Sequence, residues 1–128
     1  MQQPYHPLDE VKRICAEAEI LLDRARCLDM LTPYIDLFQC KPFARDVVAM
    51  LSIDDFSETV TIGGIPFDLY GVRLTNELKQ RYGIEQLGNF YVKLRIARPG
   101  KLVFFISLHE MERRLWRRGG PLDPKSRH

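Results

Sequence analysis

Tyr91, Lys93 and Arg95 alternate with Phe90, Val92, Leu94 and Ile96. A strand over Phe90–Ile96 therefore puts a phenol, an ammonium and a guanidinium on one face and apolar side chains on the other. Tyr91 and Lys93 then lie about 7 Å apart. An aromatic plane beside two cations suits single-stranded RNA, because a base stacks on the ring while the cations neutralise phosphates. The same row also fits a solvent-facing strand that is merely basic, since a basic face is only an electrostatic footprint. His109 follows in Ser107-Leu108-His109-Glu110. An imidazole just past a strand end can sit on the sheet rim and move protons near neutral pH. The more frequent case, when no partner is known, is an exposed histidine in the first turn of a helix, where Glu110 and Glu112 suit the positive end of the dipole.

Other chemistries lack their residues. Gly63-Gly64 has neither the lysine nor the following helix of a phosphate-cradling loop. No Gly-x-Ser-x-Gly elbow occurs. His6, His109 and His128 have no ligand spacing with Cys15, Cys27 and Cys40, so neither a metal nor another cofactor is expected. Asp54-Asp55 could attract a divalent cation, but as neighbours before Phe56 they read better as turn and capping residues.

The elements that must position these groups are legible from hydrophobic period. Leu8, Val11, Ile14, Cys15, Ala18 and Leu22 recur at helical steps. Second and third helices are expected over Arg24–Leu31, before Thr32-Pro33, and over Pro42–Leu51. The period then changes. Thr59–Ile62, closed by Gly63-Gly64, and Phe67–Leu74 read as strands, and Asn76–Tyr82 as a helix capped by Gly83. Ala97-Arg98-Pro99-Gly100 is a turn signal joining Phe90–Ile96 to the more buried strand Leu102–Ser107 in an antiparallel hairpin. His109–Arg118 reads as a terminal helix broken by Gly119-Gly120-Pro121. The expected architecture is α+β, with N-terminal helices packed on an antiparallel sheet and a C-terminal helix. It is one domain over residues 1–120, with a flexible tail over 121–128.

A chain of 128 residues has room for one core, and 45% hydrophobic with 28% charged residues is a globular balance. No apolar run approaches the roughly 20 residues that cross a bilayer. The first residues lack signal-peptide regions, and the odd number of cysteines fits buried free thiols; a cytoplasmic address without membrane partners is expected. Net charge is only +2, but it is unevenly spread. Asp9–Glu58 carries 11 acidic and 6 basic residues, whereas Tyr91–Gly119 carries 8 basic and 2 acidic. Such asymmetry marks a surface for a polyanion, a pairing of the two halves, or a solvated arginine face.

The order of segments resembles the MqsR family of bacterial toxins. The resemblance is carried by Leu8-x-x-Val11-Lys12, Leu51-Ser52-x-x-Asp55-Phe56, Asp68-x-Tyr70, Gly88-Asn89-Phe90-Tyr91-Val92-Lys93-Leu94 and Val103-Phe104-Phe105-Ile106-Ser107-Leu108-His109-Glu110. It implies a RelE-like fold and a metal-independent endoribonuclease that cuts mRNA, held in check by a cognate antitoxin. In it Tyr91 matches the active-site tyrosine, Lys93 the lysine two residues on, and His109 a place where members carry Lys or His. Glu58 and Phe67 depart from a lysine and a glutamine of the family, and Thr75–Gln86 and the basic C-terminus are additions. Either Arg73, Arg95 or another cation binds RNA in compensation for Glu58, or catalysis is weak or lost. The alternative from another class is a non-catalytic module binding RNA or protein on the same scaffold. A third is an interaction protein whose Arg113, Arg114, Arg117 and Arg118 dock an acidic partner.

Overall fold

The computed structural model describes residues 2–97 and 102–125. In chain order the elements are α1 (Leu8–Glu17), β1 (Glu19–Leu22), a π-helical turn (Arg24–Leu28), α2 (Asp29–Leu31), α3 (Cys40–Met50), β2 (Phe56–Ile62), β3 (Ile65–Val72), α4 (Asn76–Tyr82), β4 (Phe90–Ala97) and β5 (Leu102–Glu110). The fold is α+β around one five-stranded sheet of order β1-β5-β4-β3-β2. Val11, Ile14, Phe43 and Val47 of α1 and α3 pack with Tyr70, Phe90, Val92, Leu94 and Phe105 of the inner sheet face.

The hairpin expected from alternation is present: Phe90, Val92 and Leu94 are fully buried, while Tyr91, Lys93 and Arg95 are half-buried on the other face. All of its expected turn except Ala97 lies outside the described residues. Gly63 and Gly64, with φ of 57° and 79°, make the two-residue turn of the β2–β3 hairpin, where positive φ at both positions matches strand twist. Thr75 accepts from the Leu78 N–H at 3.1 Å and starts α4, and Gly83 at φ 67° ends it.

Three expectations are corrected. The first helix ends at Glu17, not Leu22. Ala18 is extended, and Glu19–Leu22 forms a strand pairing parallel with β5, so the sheet is mixed and not antiparallel throughout. Leu22 satisfies both periods, four residues after Ala18 and two after the buried Ile20, so pattern could not separate them. The C-terminal helix over His109–Arg118 does not form. His109 and Glu110 instead extend β5, paired with Tyr91 and Phe90. The chain then crosses the outer face of the sheet, where Met111, Leu115 and Leu122 bury Leu69 in a second small cluster and Leu115 bridges to Leu122. Residues 121–125, read as the start of a flexible tail, are docked: Asn89 donates from its backbone to Pro124 O at 2.7 Å and from Nδ2 to Asp123 O at 2.8 Å.

Arg114 and Arg117, two of the arginines that suggested a helix face, are held by separate side-chain contacts. Arg114 pairs with Asp123 at 2.8 Å. Arg117 Nη1 reaches Asp55 Oδ1 at 3.0 Å and Gly71 O at 3.1 Å, and the Arg118 N–H donates to Phe56 O at 2.8 Å. Asp55 also accepts from the Ser52 N–H at 2.8 Å, the capping role expected for it. The C-terminal strap packs directly on Gly88, and a methyl there would overlap the Pro124 carbonyl oxygen. Gly88→Ala is expected to cost about 1–3 kcal/mol by overpacking and to unseat residues 122–124. Urea unfolding and faster amide exchange at Asn89 are the checks.

Candidate functional site

Strand register brings the sequence-derived candidates together. Tyr91 is the direct partner of His109 across β4–β5. Their rings stack with centroids 5.1 Å apart and planes within 11°. Lys93, one pleat along, places Nζ 5.5 Å from the Tyr91 ring centre. Tyr91 and His109 line a cleft of about 770 Å3 whose walls also include Arg26, Glu58, Glu112 and Trp116. Register places Glu58, Leu69, Lys93 and Ser107 in one row across the sheet, so the carboxylate of Glu58 borders the same cleft.

His109 is not an exposed residue of a helix start, as one reading had it; only 3% of it is accessible. Nδ1 lies 2.8 Å from Glu110 O and Nε2 lies 3.0 Å from Arg26 Nη2. A guanidinium only donates, so Nε2 carries the lone pair and Nδ1 carries the hydrogen given to the carbonyl. Both ring nitrogens are satisfied by the neutral tautomer. Burial pushes the imidazole below its ordinary value, the Glu110 carbonyl pulls the other way, and the Arg26 guanidinium adds to the lowering.

Arg26 is the site residue that sequence reasoning missed. It lies on the π-helical turn, in a segment whose spacing reads only as packing. The Asp23 side chain accepts from the Arg26 N–H at 3.0 Å, while the Asp23 N–H and the Cys27 thiol both donate to Phe105 O, at 2.9 and 3.3 Å. The turn is thus fastened to β5 four residues before His109. Cys27 is fully buried and its thiol is pushed up to about 12 by burial, so it serves this anchorage as a neutral donor.

Arg95 and Arg73 are not brought to the cleft. The Arg95 guanidinium lies 5.8 Å from the Phe67 ring centre and 6.0 Å from that of Phe104, beside a second hollow lined by Tyr5, His6 and Pro66. Phe67 is thus part of an aromatic bed for Arg95. Arg73 is exposed just past β3 and lines neither hollow. Asp68 is fully buried and holds the N-terminal segment: it accepts from the Tyr5 and His6 N–H groups, both at 2.8 Å, and from Thr59 Oγ1 at 2.7 Å.

Among the described residues no group of three or more His, Cys, Asp and Glu side chains is gathered as a metal ion would need. No helix among them is long and apolar enough to cross a membrane. Comparison with known families finds no family model that matches this chain. No curated protein matches it at significant similarity.

Proposed function

We propose that this chain is a metal-independent endoribonuclease of the MqsR type on a RelE-like scaffold, cutting mRNA in the cytoplasm and restrained by a cognate antitoxin protein. The observation that carries the reading is the stacking of Tyr91 on His109, from two paired strands, at one open cleft, with the Lys93 ammonium beside the Tyr91 ring. In this mechanism the ribose 2′-hydroxyl gives its proton to His109 Nε2 as its oxygen bonds to phosphorus. The P–O5′ bond breaks and the leaving oxygen takes the proton of the Tyr91 hydroxyl. The products are a 2′,3′-cyclic phosphate and a 5′-hydroxyl, and the imidazolium returns its proton to the phenolate through water. Lys93 stabilises the charge gathering on the phosphorane. Arg26 and Arg113 at the cleft supply the positive charge that Glu58 does not, and Arg95 and Arg73 contact flanking nucleotides.

A second reading is favoured by two observations: Glu58 borders the cleft, and Arg26 occupies the His109 lone pair. It is a non-catalytic module that holds RNA or a protein on the same face. Purified protein incubated with RNA in EDTA separates the two. The nuclease reading expects fragments ending in cyclic phosphate. It also expects Lys93→Ala to weaken binding and to reduce the slope of log affinity against log salt by about one. RNA that is bound and never cut establishes the module instead, and cleavage that requires Mg2+ removes the metal-independent mechanism.

A further inference from the structure

The Arg26 guanidinium leaves His109 without a free lone pair, so a histidine that is to accept a proton must first be released. We propose, on the basis of the nuclease reading, that Arg26 is a substrate-operated latch on His109, drawn from Nε2 by a phosphate of bound RNA so that the base is released only when substrate is present.

The two ends of Arg26 differ in the way a latch requires. Its backbone is fixed by Asp23 and, through the turn, by Phe105 O. Its side chain is about half exposed and is held at the tip, among the described residues, by His109 Nε2 at 3.0 Å and Glu112 Oε1 at 3.4 Å. The Glu112 contact is an exposed ion pair, a weak restraint in water. The His109 contact is a charged donor on a neutral ring. A phosphate in the cleft offers a charged acceptor whose two oxygens the guanidinium fork can grip together, where the ring nitrogen accepts a single bond. Chain rotation alone moves the guanidinium, so no backbone change is needed.

The charged and titratable surroundings of the imidazole come from every side. Tyr91 and Lys93 face it from β4, Arg26 from the π-helical turn, and Glu110 and Glu112 from β5 and the segment after it; Tyr34 borders a small hollow on its other side. Of these, Arg26 alone touches Nε2. With it in place the free protein is an idle nuclease. With it on phosphate, the same guanidinium adds to the charge that binds substrate, and Nε2 is open to the 2′-hydroxyl.

The test is nitrogen NMR of the His109 ring in the full chain, read at a pH where the ring is neutral so that titration does not contribute. The probe is a short 2′-O-methyl oligoribonucleotide, which binds but cannot supply the attacking hydroxyl. In Arg26→Ala, an exposed change that leaves the fold intact, Nε2 should lose its accepted hydrogen bond and its signal should move downfield without RNA. In the wild type the probe should move Nε2 to that same position, together with the Lys93 and Tyr91 signals. Movement of Lys93 and Tyr91 with an unmoved Nε2 overturns the latch and leaves RNA binding standing. An Nε2 signal in Arg26→Ala identical to the wild type also overturns it. If the probe moves none of these residues at low salt, the ribonuclease reading falls and the latch with it.

Discussion

On the proposed nuclease reading, His109→Gln should abolish most RNA cleavage, by about 100- to 10,000-fold, the range that a positioned general acid–base supplies, while RNA binding persists. The glutamine Oε1 can accept from Arg26 in place of the imidazole Nε2, so the variant keeps an acceptor for the guanidinium and loses the proton shuttle. His109→Ala should show the same kinetic loss with a structural cost added. The imidazole is buried, stacked on Tyr91 and bonded at both nitrogens, so its removal should cost about 2–3 kcal/mol and lower Tm by several degrees. From sequence, as an exposed strand-end residue, it would have cost almost nothing. The pH dependence follows from the direction of its shift. A histidine depressed in the folded state binds fewer protons there than when unfolded. Its stabilising contribution is therefore full above the ordinary value of 6.5 and is lost as pH falls below it towards the folded value. The wild type should lose stability in that window more steeply than His109→Gln. Equal cleavage by wild type and His109→Gln would remove this residue from the chemistry.

Asp68→Ala should be the most destabilising single change outside the large core side chains, by about 3 kcal/mol or more. The carboxylate accepts three hydrogen bonds in a site with no solvent access. Truncation leaves two backbone N–H groups and the Thr59 hydroxyl without their acceptor, each costing about 1–3 kcal/mol where water cannot replace it. The N-terminal segment carrying Tyr5 and His6 should detach and recover part of that cost by hydration. Denaturant unfolding measures the loss, and proton exchange at the Tyr5 and His6 amides reports the detachment. A loss below about 1 kcal/mol with those amides still protected would show that something other than Asp68 anchors the segment. The resemblance had marked Asp68-x-Tyr70 as a motif, and its aspartate is accounted for by this anchorage without any catalytic role.

Local sequence determined the elements whose side chains alternate or recur without ambiguity. Phe90–Ile96 could only be a half-buried strand, because a shift of one residue would bury Lys93 and expose Val92. The C-cap at Gly83 was legible because a helix end is satisfied by residues three or four positions away. From the same pattern came the shared face of Tyr91, Lys93 and Arg95. It could not say that Arg95 leaves the other two for Phe67 and Phe104, or that Lys93 leans over the Tyr91 ring, since both depend on neighbouring strands. The segment after Ser107 was misread for a physical reason. Leu115 with Arg113, Arg114, Arg117 and Arg118 has helical spacing, but β4 needs a partner as far as Phe90, and the apolar Leu69 needs a cover. Those long-range demands outweigh a weak local propensity. Arg26 was invisible for the same reason. Its partner is 83 residues away, and only the folding of the π-helical turn onto the Phe105 carbonyl brings the guanidinium to the imidazole.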